Sequence, residues 1–348
     1  MVSDTKISIK NLYKIFGSNP SAQVDRVMSG MGKAELLEKH GHVLGLNNVN
    51  LDIPAKSLQV IMGLSGSGKS TLIRHINRLI EPTTGEMIID GEDVLSMSKE
   101  RLLDFRRHSA SMVFQKFALM PHRTVAENAA YGLTIQGIDE DEAEKRSQRW
   151  LDRVGLSGFE KHYPAQLSGG MQQRVGLARA LTTDAEILLM DEAFSALDPL
   201  IRNDMQDVLL DLQEELHKTI VFITHDLDEA LKIGDNIAIL RDGVMVQEGS
   251  AQEIILNPAD DYVTDFIQDI NRTRVLEIGS VMSDKKSTKG PKLDHKTVIE
   301  EALPVLSAEH AEHAIVTKDD KAIGTVSLDA MIQAIARPKN LKSDKQYK

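Results

Sequence analysis

The sequence predicts an α/β protein built on a mainly parallel sheet. Residues 185–191 and 219–224 are short apolar runs bounded by polar residues, the pattern of strands buried on both faces. A third run, Ser57-Leu-Gln-Val-Ile-Met62, leads straight into a glycine-rich turn and then a helical stretch over 70–80. Strands that alternate with helices in this way imply a parallel sheet covered by helices.

The elements follow in order. Residues 5–17 alternate as a strand does, through Ile7, Ile9 and Leu12. A polar, helix-like stretch occupies 18–42, and 43–53 resumes the strand pattern. Residues 95–158 read as mostly helical, with charged clusters at 139–149. Residues 235–249 read as two strands turning at Asp242-Gly243. Beyond about residue 274 the character changes. A Lys/Ser/Thr/Gly-rich stretch at 283–292 reads as a linker or mobile loop, a second α/β-like unit covers about 293–336, and 337–348 is a basic polar tail. The expected division is therefore a large domain over 1–273 with a helical insert at about 95–180, a small α/β domain over 274–336, and the tail.

Bulk properties narrow the function classes. A length of 348 residues fits two domains at about 150 residues each. No stretch approaches the ~18 apolar residues of a membrane span, and the first residues lack the apolar core of a secretory signal. The expectation is a chain that neither spans a membrane nor is exported. There is no cysteine, so disulfides, thiolate nucleophiles and cysteine metal sites are excluded. A formal net charge of -11 argues against general nucleic-acid binding.

Three motifs carry chemistry. Gly63-Leu64-Ser65-Gly66-Ser67-Gly68-Lys69-Ser70 matches the phosphate-loop pattern, between a strand and a helix as that pattern requires. Its glycines let the backbone curl around phosphates, whose charge the loop N–H groups and helix start would meet. Lys69 would reach the β- and γ-phosphates, Ser70 would ligate Mg²⁺, and Thr71 extends the set. An ordinary glycine turn before a helix is the alternative. Ile187-Leu-Leu-Met-Asp191-Glu192 is an apolar strand ending in two acids, at the strand end where such sheets bind ligands. Asp191 would hold Mg²⁺ and Glu192 would act as general base on water, unless the pair merely caps a helix. Leu167-Ser168-Gly169-Gly170-Met-Gln-Gln-Arg174 opens a helix with a bare N-terminus suited to an anion, although Ser-Gly-Gly is also an ordinary helix cap.

In this order the three motifs resemble the nucleotide-binding subunit of an ABC transporter, over roughly residues 5–270. The resemblance implies an ABC-type phosphate-loop NTPase core with a β-rich N-terminal subdomain and a helical insert, using ATP and Mg²⁺. Gln115, in Val113-Phe-Gln-Lys-Phe-Ala-Leu, resembles the glutamine that touches Mg²⁺ and couples to the membrane subunit. His225, in Ile223-Thr-His-Asp, resembles the histidine that contacts the γ-phosphate, and Ser195-Ala-Leu-Asp198 the loop that crosses the dimer interface. Phe16 resembles the aromatic that stacks on adenine, with Tyr13 as the alternative. The family pattern is a head-to-tail homodimer in which the phosphate loop of one chain faces Ser168, Gly169 and Gly170 of the other. The apolar stretch Phe117-Ala-Leu-Met-Pro121, after Gln115, is the expected contact with the membrane subunit.

Asn77-Arg-Leu-Ile-Glu-Pro-Thr, Phe117-Ala-Leu-Met-Pro-His and Asp191-Glu-Ala-Phe-Ser-Ala-Leu-Asp-Pro-Leu-Ile-Arg are similar to the glycine betaine/proline importer subfamily, as is the insert at 18–42. That resemblance implies a peripheral subunit on the cytoplasmic face of the inner membrane, working with permease subunits and an extracytoplasmic solute-binding protein. Its solutes would be glycine betaine, proline betaine, choline or related compact ammonium compounds. A non-transport ABC ATPase in nucleic-acid metabolism or translation is the competing class. Thr297-Val-Ile-Glu-Glu-Ala-Leu and Ala322-Ile-Gly-Thr-Val-Ser-Leu-Asp329 resemble parts of a single CBS unit, with Ala330 where the common form has a ribose-binding Asp. The tail, with Arg337, Lys339, Lys342, Lys345 and Lys348, is a candidate salt-sensitive contact with anionic lipid.

Overall fold

A computed structural model of the chain describes residues 5–115, 117–284 and 289–336. The chain divides into two compact units, 1–248 and 249–348. The composition change near 274 falls inside the second unit, where the helices Ala251–Leu256 and Arg272–Val275 are tied by Gln252 Nε2 donating to Val275 O at 2.9 Å. The basic tail lies outside the described residues, as does 285–288 of the expected linker.

The first unit holds two sheets. One is antiparallel, in the order Val43–Pro54, Thr5–Phe16, Thr84–Ile89, Glu92–Asp93. Strand Thr5–Phe16 alternates as read, burying Ile7, Ile9 and Leu12. Past Asn11, at φ 47°, the register shifts and the adjacent Leu12 and Tyr13 are both buried, which is what a bulge does to a period-two pattern. The other sheet has six strands in the order Val244–Gly249, Asn236–Arg241, Leu58–Met62, Thr219–Thr224, Ile187–Asp191, Ala110–Val113. Asn236–Arg241 and the four that follow pair in parallel. The strands Leu58–Met62, Ile187–Asp191 and Thr219–Thr224 are buried along their whole length, as their continuous apolar character requires. Ile7, Ile9 and Val49 of the first sheet and Ile61, Leu189, Val221 and Ile223 of the second share one core with Leu72 and Ile73.

Two readings change. The stretch 95–158 is not only helical: between Lys99–His108 and Val125–Gln136 it contributes the edge strand Ala110–Val113. Four residues, Ala-Ser-Met-Val, carry too short an apolar pattern to register. The phosphate-loop helix ends at Ile76 rather than 80, because Arg78 takes φ 52°. The helical insert otherwise consists of Val125–Gln136, Glu140–Arg153 and Gly169–Thr182. The stretch 18–42 folds as a short 3-10 turn, Pro20–Gln23, and two helices, Val24–Met28 and Lys33–His40. Val27 and Leu36 bury against Tyr13, Ile15 and Leu44, so the insert is packed onto the antiparallel sheet.

In the second unit Lys292–Asp294 pairs in parallel with His313–Lys318, which pairs antiparallel with Lys321–Ser327. Helices Ile299–Ala308 and Leu328–Ile335 bury Ile299, Ala302, Leu306 and Met331. Ser327 caps the second helix by accepting from Ala330 N at 3.1 Å, and Asp329 Oδ2 accepts from Gln333 Nε2 at 2.9 Å.

Candidate functional site

The phosphate loop leaves strand Leu58–Met62 at Gly63 and enters helix Lys69–Ile76. Close approach explains two of its glycines. A Cβ on Gly63, at φ 147°, would sit 2.1 Å from Leu240 O, and one on Gly68, at φ 106°, would sit 2.7 Å from Gly45 O. Lys69 is nearly buried and bends back to donate to Gly63 O at 2.8 Å and Leu64 O at 3.1 Å. Burial pushes its ammonium below the usual lysine range, against the opposing pull of Glu192 and Asp191. Ser67 Oγ is buried without a protein partner. A loop with a buried lysine and an orphaned buried hydroxyl is prepared for an anion.

Strand register brings the remaining groups to the same edge. Asp191 pairs with Ile223, Met62 with Thr224, and Val113 with Met190. Residues just past these positions therefore converge. Asp191 is fully buried and accepts from Ser70 Oγ at 2.7 Å and from Arg74 Nη2 at 2.9 Å. Ser70 Oγ and the Asp191 carboxylate are adjacent hard oxygen donors, which suits a Mg²⁺ that keeps phosphate oxygens and water as its other ligands. Among the described residues no group of three or more His, Cys, Asp or Glu could hold a metal by itself.

Glu192 adopts φ 48°, a conformation a non-glycine residue takes at a cost and one that recurs at functional sites. Its N–H still joins the sheet by donating to Ile223 O at 3.1 Å. Its Oε2 accepts from Gln115 Nε2 at 2.8 Å and lies 3.5 Å from His225 Nδ1. The side chain of His225 is 60% exposed, which leaves it free to reach a ligand above the sheet edge. The geometry thus gathers Gly63, Leu64, Ser65, Gly66, Ser67, Gly68, Lys69, Ser70, Asp191, Glu192, Gln115 and His225 around one loop. Chemically it can cradle an anion, hold a small cation on oxygen, and polarise a water at Glu192.

Other expected residues lie apart from this cluster. Ser168 and Gly169 are exposed at the start of helix Gly169–Thr182, where Ser168 Oγ accepts from Met171 N at 3.3 Å and the neighbours are Phe117 and Leu197. Asp198 is exposed and caps helix Pro199–Leu216 by accepting from Ile201 N at 3.1 Å. Thr71 O accepts from His75 Nδ1 at 2.5 Å. Of the two aromatics, Tyr13 is 7% exposed in the insert core, whereas Phe16 is 39% exposed with the Lys14 ammonium 4.9 Å above its ring. The Phe16 ring lies over Gly45, where a Cβ would meet it at 2.7 Å. Gly45 therefore connects the exposed ring to the phosphate loop at Gly68.

Sequence reading did not single out Arg74, Gly45 or Lys33. Arg74 stands one turn after Ser70 on the same helix face, a spacing that could have pointed to a second partner for Asp191. Gly45 and Lys33 meet the loop only through the tertiary fold. Lys33 Nζ donates to Gly66 O at 3.2 Å.

Residues 46–195 match the family model described as ABC transporter. The chain is 53% identical over 291 residues to the glycine betaine transport ATP-binding protein OpuAA of Bacillus subtilis, covering 83% of this chain and 70% of that one. It is 46% identical over 340 residues to the glycine betaine/proline betaine transport system ATP-binding protein ProV of Escherichia coli, covering 97% and 84%. It is 41% identical over 336 residues to the trimethylamine N-oxide transport system ATP-binding protein TmoW of Pelagibacter ubique, covering 96% and 98%. Among solved structures, a dimeric bacterial ABC transporter cassette matches with a TM-score of 0.62 and 34% identity, over 70% of this chain and 98% of that one. The same cassette in a post-hydrolysis state bound to ADP and Pi matches with a TM-score of 0.61.

Proposed function

This chain belongs to the ATP-binding protein family of ABC transporters, and on that premise we propose that it hydrolyses ATP to drive import of a compact ammonium solute. Glycine betaine, proline betaine and trimethylamine N-oxide, named for its relatives, define the class. The observation that carries the chemical part is the convergence of Ser70, Asp191, Glu192, Gln115 and His225 on the phosphate loop. The competing class, an ATPase of nucleic-acid metabolism or translation, finds no support, since the relatives named above are transport proteins.

In this reading the loop N–H groups, Lys69 and Ser67 bind the phosphates, and Lys69 exchanges its two carbonyl partners for phosphate oxygens. Ser70 and Asp191 would hold Mg²⁺, which would supply charge neutralisation to the phosphates when bound. Glu192 accepts a proton from the attacking water, Gln115 holds the carboxylate in place, and His225 turns toward the γ-phosphate. Phe16 stacks on adenine. Ser168, Gly169 and Asp198 are exposed and Gly170 is half-buried, and among the described residues none of them bonds to the phosphate loop, which fits a head-to-tail homodimer in which they complete the partner's site.

The remaining assignments extend the same reading. Among the described residues no helix is long and apolar enough to cross a membrane; the relatives are named as ATP-binding proteins of transport systems, and in this reading the chain works with permease subunits. The same reading assigns a solute-binding protein outside the membrane and a peripheral position on its cytoplasmic face. Residues 274–336 form a single CBS-like regulatory or dimerisation unit, following a cassette over 1–273. The test is Glu192→Gln, purified with its membrane partners in vesicles carrying glycine betaine and its binding protein. Solute-stimulated hydrolysis should fall by roughly 10²- to 10⁴-fold, the worth of a general base, with ATP still bound. Near-normal turnover would remove Glu192 as base, and absence of stimulation by any of these solutes in the unmodified complex would overturn the substrate class.

A further inference from the structure

We propose that Lys33, carried by the 18–42 insert, is a positioning residue for the phosphate loop and sets nucleotide affinity. The inference rests on the phosphate loop being the nucleotide site. Two successive loop carbonyls are each held by a donor distant in sequence. Lys33 Nζ donates to Gly66 O at 3.2 Å, and Gly243 N donates to Ser67 O at 2.9 Å. The two holders are joined, because Lys33 Nζ lies 3.6 Å from Asp242 Oδ1 in the Asp242-Gly243 turn. That turn is itself fixed by Asn47 N donating to Gly243 O at 2.8 Å. The outer limb of the loop is thus closed into a ring of insert, loop and turn.

The insert is rigid enough for the task. Lys33 is the first residue of helix Lys33–His40, and Leu36, one turn on, is fully buried against Tyr13, Ile15, Val27 and Leu44. The ammonium is therefore delivered from an anchored helix, with 38% of the side chain exposed. A hydrogen bond to Gly66 O orients the Gly66–Ser67 peptide, which belongs to the part of the loop that curls around phosphate. The same ammonium adds a fixed positive charge beside the anion. The insert, which the hydrolytic chemistry leaves without a role, thereby becomes a strut of the nucleotide site.

The test uses the full chain, with ATP and ADP affinities and steady-state ATPase kinetics for Lys33→Ala, Lys33→Glu and Lys33→Arg. Lys33→Ala should weaken ATP and ADP equally, by roughly three- to tenfold, the range one hydrogen bond spans. Lys33→Glu should weaken both further, and Lys33→Arg should restore most of the affinity. KM for ATP should rise while kcat at saturation stays within about twofold, since the acting carboxylate is untouched. Unchanged affinities together with a lowered melting temperature would overturn the proposal and leave Lys33 a purely structural residue. A loss confined to ATP would also overturn it, by placing Lys33 at the γ-phosphate. If the unmodified chain binds neither nucleotide, the failure lies with the nucleotide site itself; normal binding with inert Lys33 variants leaves that site standing.

Discussion

Gln115 Nε2 lies 2.8 Å from Glu192 Oε2, and the strand register places it there. Val113 pairs in parallel with Met190, so Gln115 and Glu192 each stand two residues beyond a paired position and project from the same edge. The donor thus arrives on Ala110–Val113, the short strand that the sequence pattern did not reveal. Removing the amide should leave Glu192 without its fixed donor. Gln115→Ala should retain ATP affinity and lose roughly ten- to a hundredfold in kcat, the worth of a hydrogen bond to a charged group. Gln115→Glu should lose more, because it faces a second carboxylate. Single-turnover kinetics on both variants checks the order.

Arg74 should matter for stability as well as chemistry. Asp191 is fully buried, with Ser70 and Arg74 as its donors. Arg74→Met leaves a buried carboxylate with one hydroxyl, a loss of about 1–3 kcal/mol. Mg²⁺ with nucleotide should recover part of that loss by supplying a new partner. Thermal melts with and without Mg-ADP should therefore differ more for the variant than for the unmodified chain.

Two buried groups give pH dependence of opposite sign. Burial pushes His75 down to about 4 from an ordinary 6.5, and its Nδ1 faces Thr71 O. Below pH 6.5 the unfolded chain binds this proton and the folded chain does not, so stability falls as pH drops from 6.5 toward 4, by about 3 kcal/mol in all. His75→Asn should flatten that part of the curve. Glu229 is pushed above the usual carboxylate range, chiefly by burial and further by Asp226, while Thr224, Gln206 and Arg202 oppose the shift. Its proton is held more tightly in the fold, so its contribution is present below about pH 4.5 and is lost as pH rises through the raised value. Glu229→Gln should remove that slope. Denaturant titrations across pH 4 to 8 separate the two.

The loop after Gln115 is held by Arg179 at its start and by Asn128 at Met120, whose N–H donates to Asn128 Oδ1 at 2.8 Å. Phe117 and Ala118 take φ 48° and 50°, and Arg179 donates to their carbonyls at 3.0 and 2.7 Å. Phe117 and Leu119 are half-buried. Phe117→Asp should abolish co-purification with the membrane subunit while leaving ATP binding intact. Arg179→Gln should weaken assembly less, by loosening the loop without changing its apolar residues. Retained assembly and uptake by Phe117→Asp would remove this loop from the interface.

The sequence by itself determined the three buried parallel strands Leu58–Met62, Ile187–Asp191 and Thr219–Thr224, the phosphate loop, the acid pair and the Ser-Gly-Gly helix start. These are local: a continuous apolar run, a glycine spacing and a cap each declare themselves within ten residues or so. It also put forward Phe16 as the candidate aromatic, with Tyr13 as the alternative. Tertiary structure set their environments, because a bulge at Asn11 turns Tyr13 into the insert core and leaves Phe16 exposed over Gly45. Tertiary structure alone also placed Gln115 on Glu192, Arg74 on Asp191 and Lys33 on Gly66. Such pairs depend on strand register and on how an insert packs. Those are set by contacts between residues far apart in the chain, which no local pattern records.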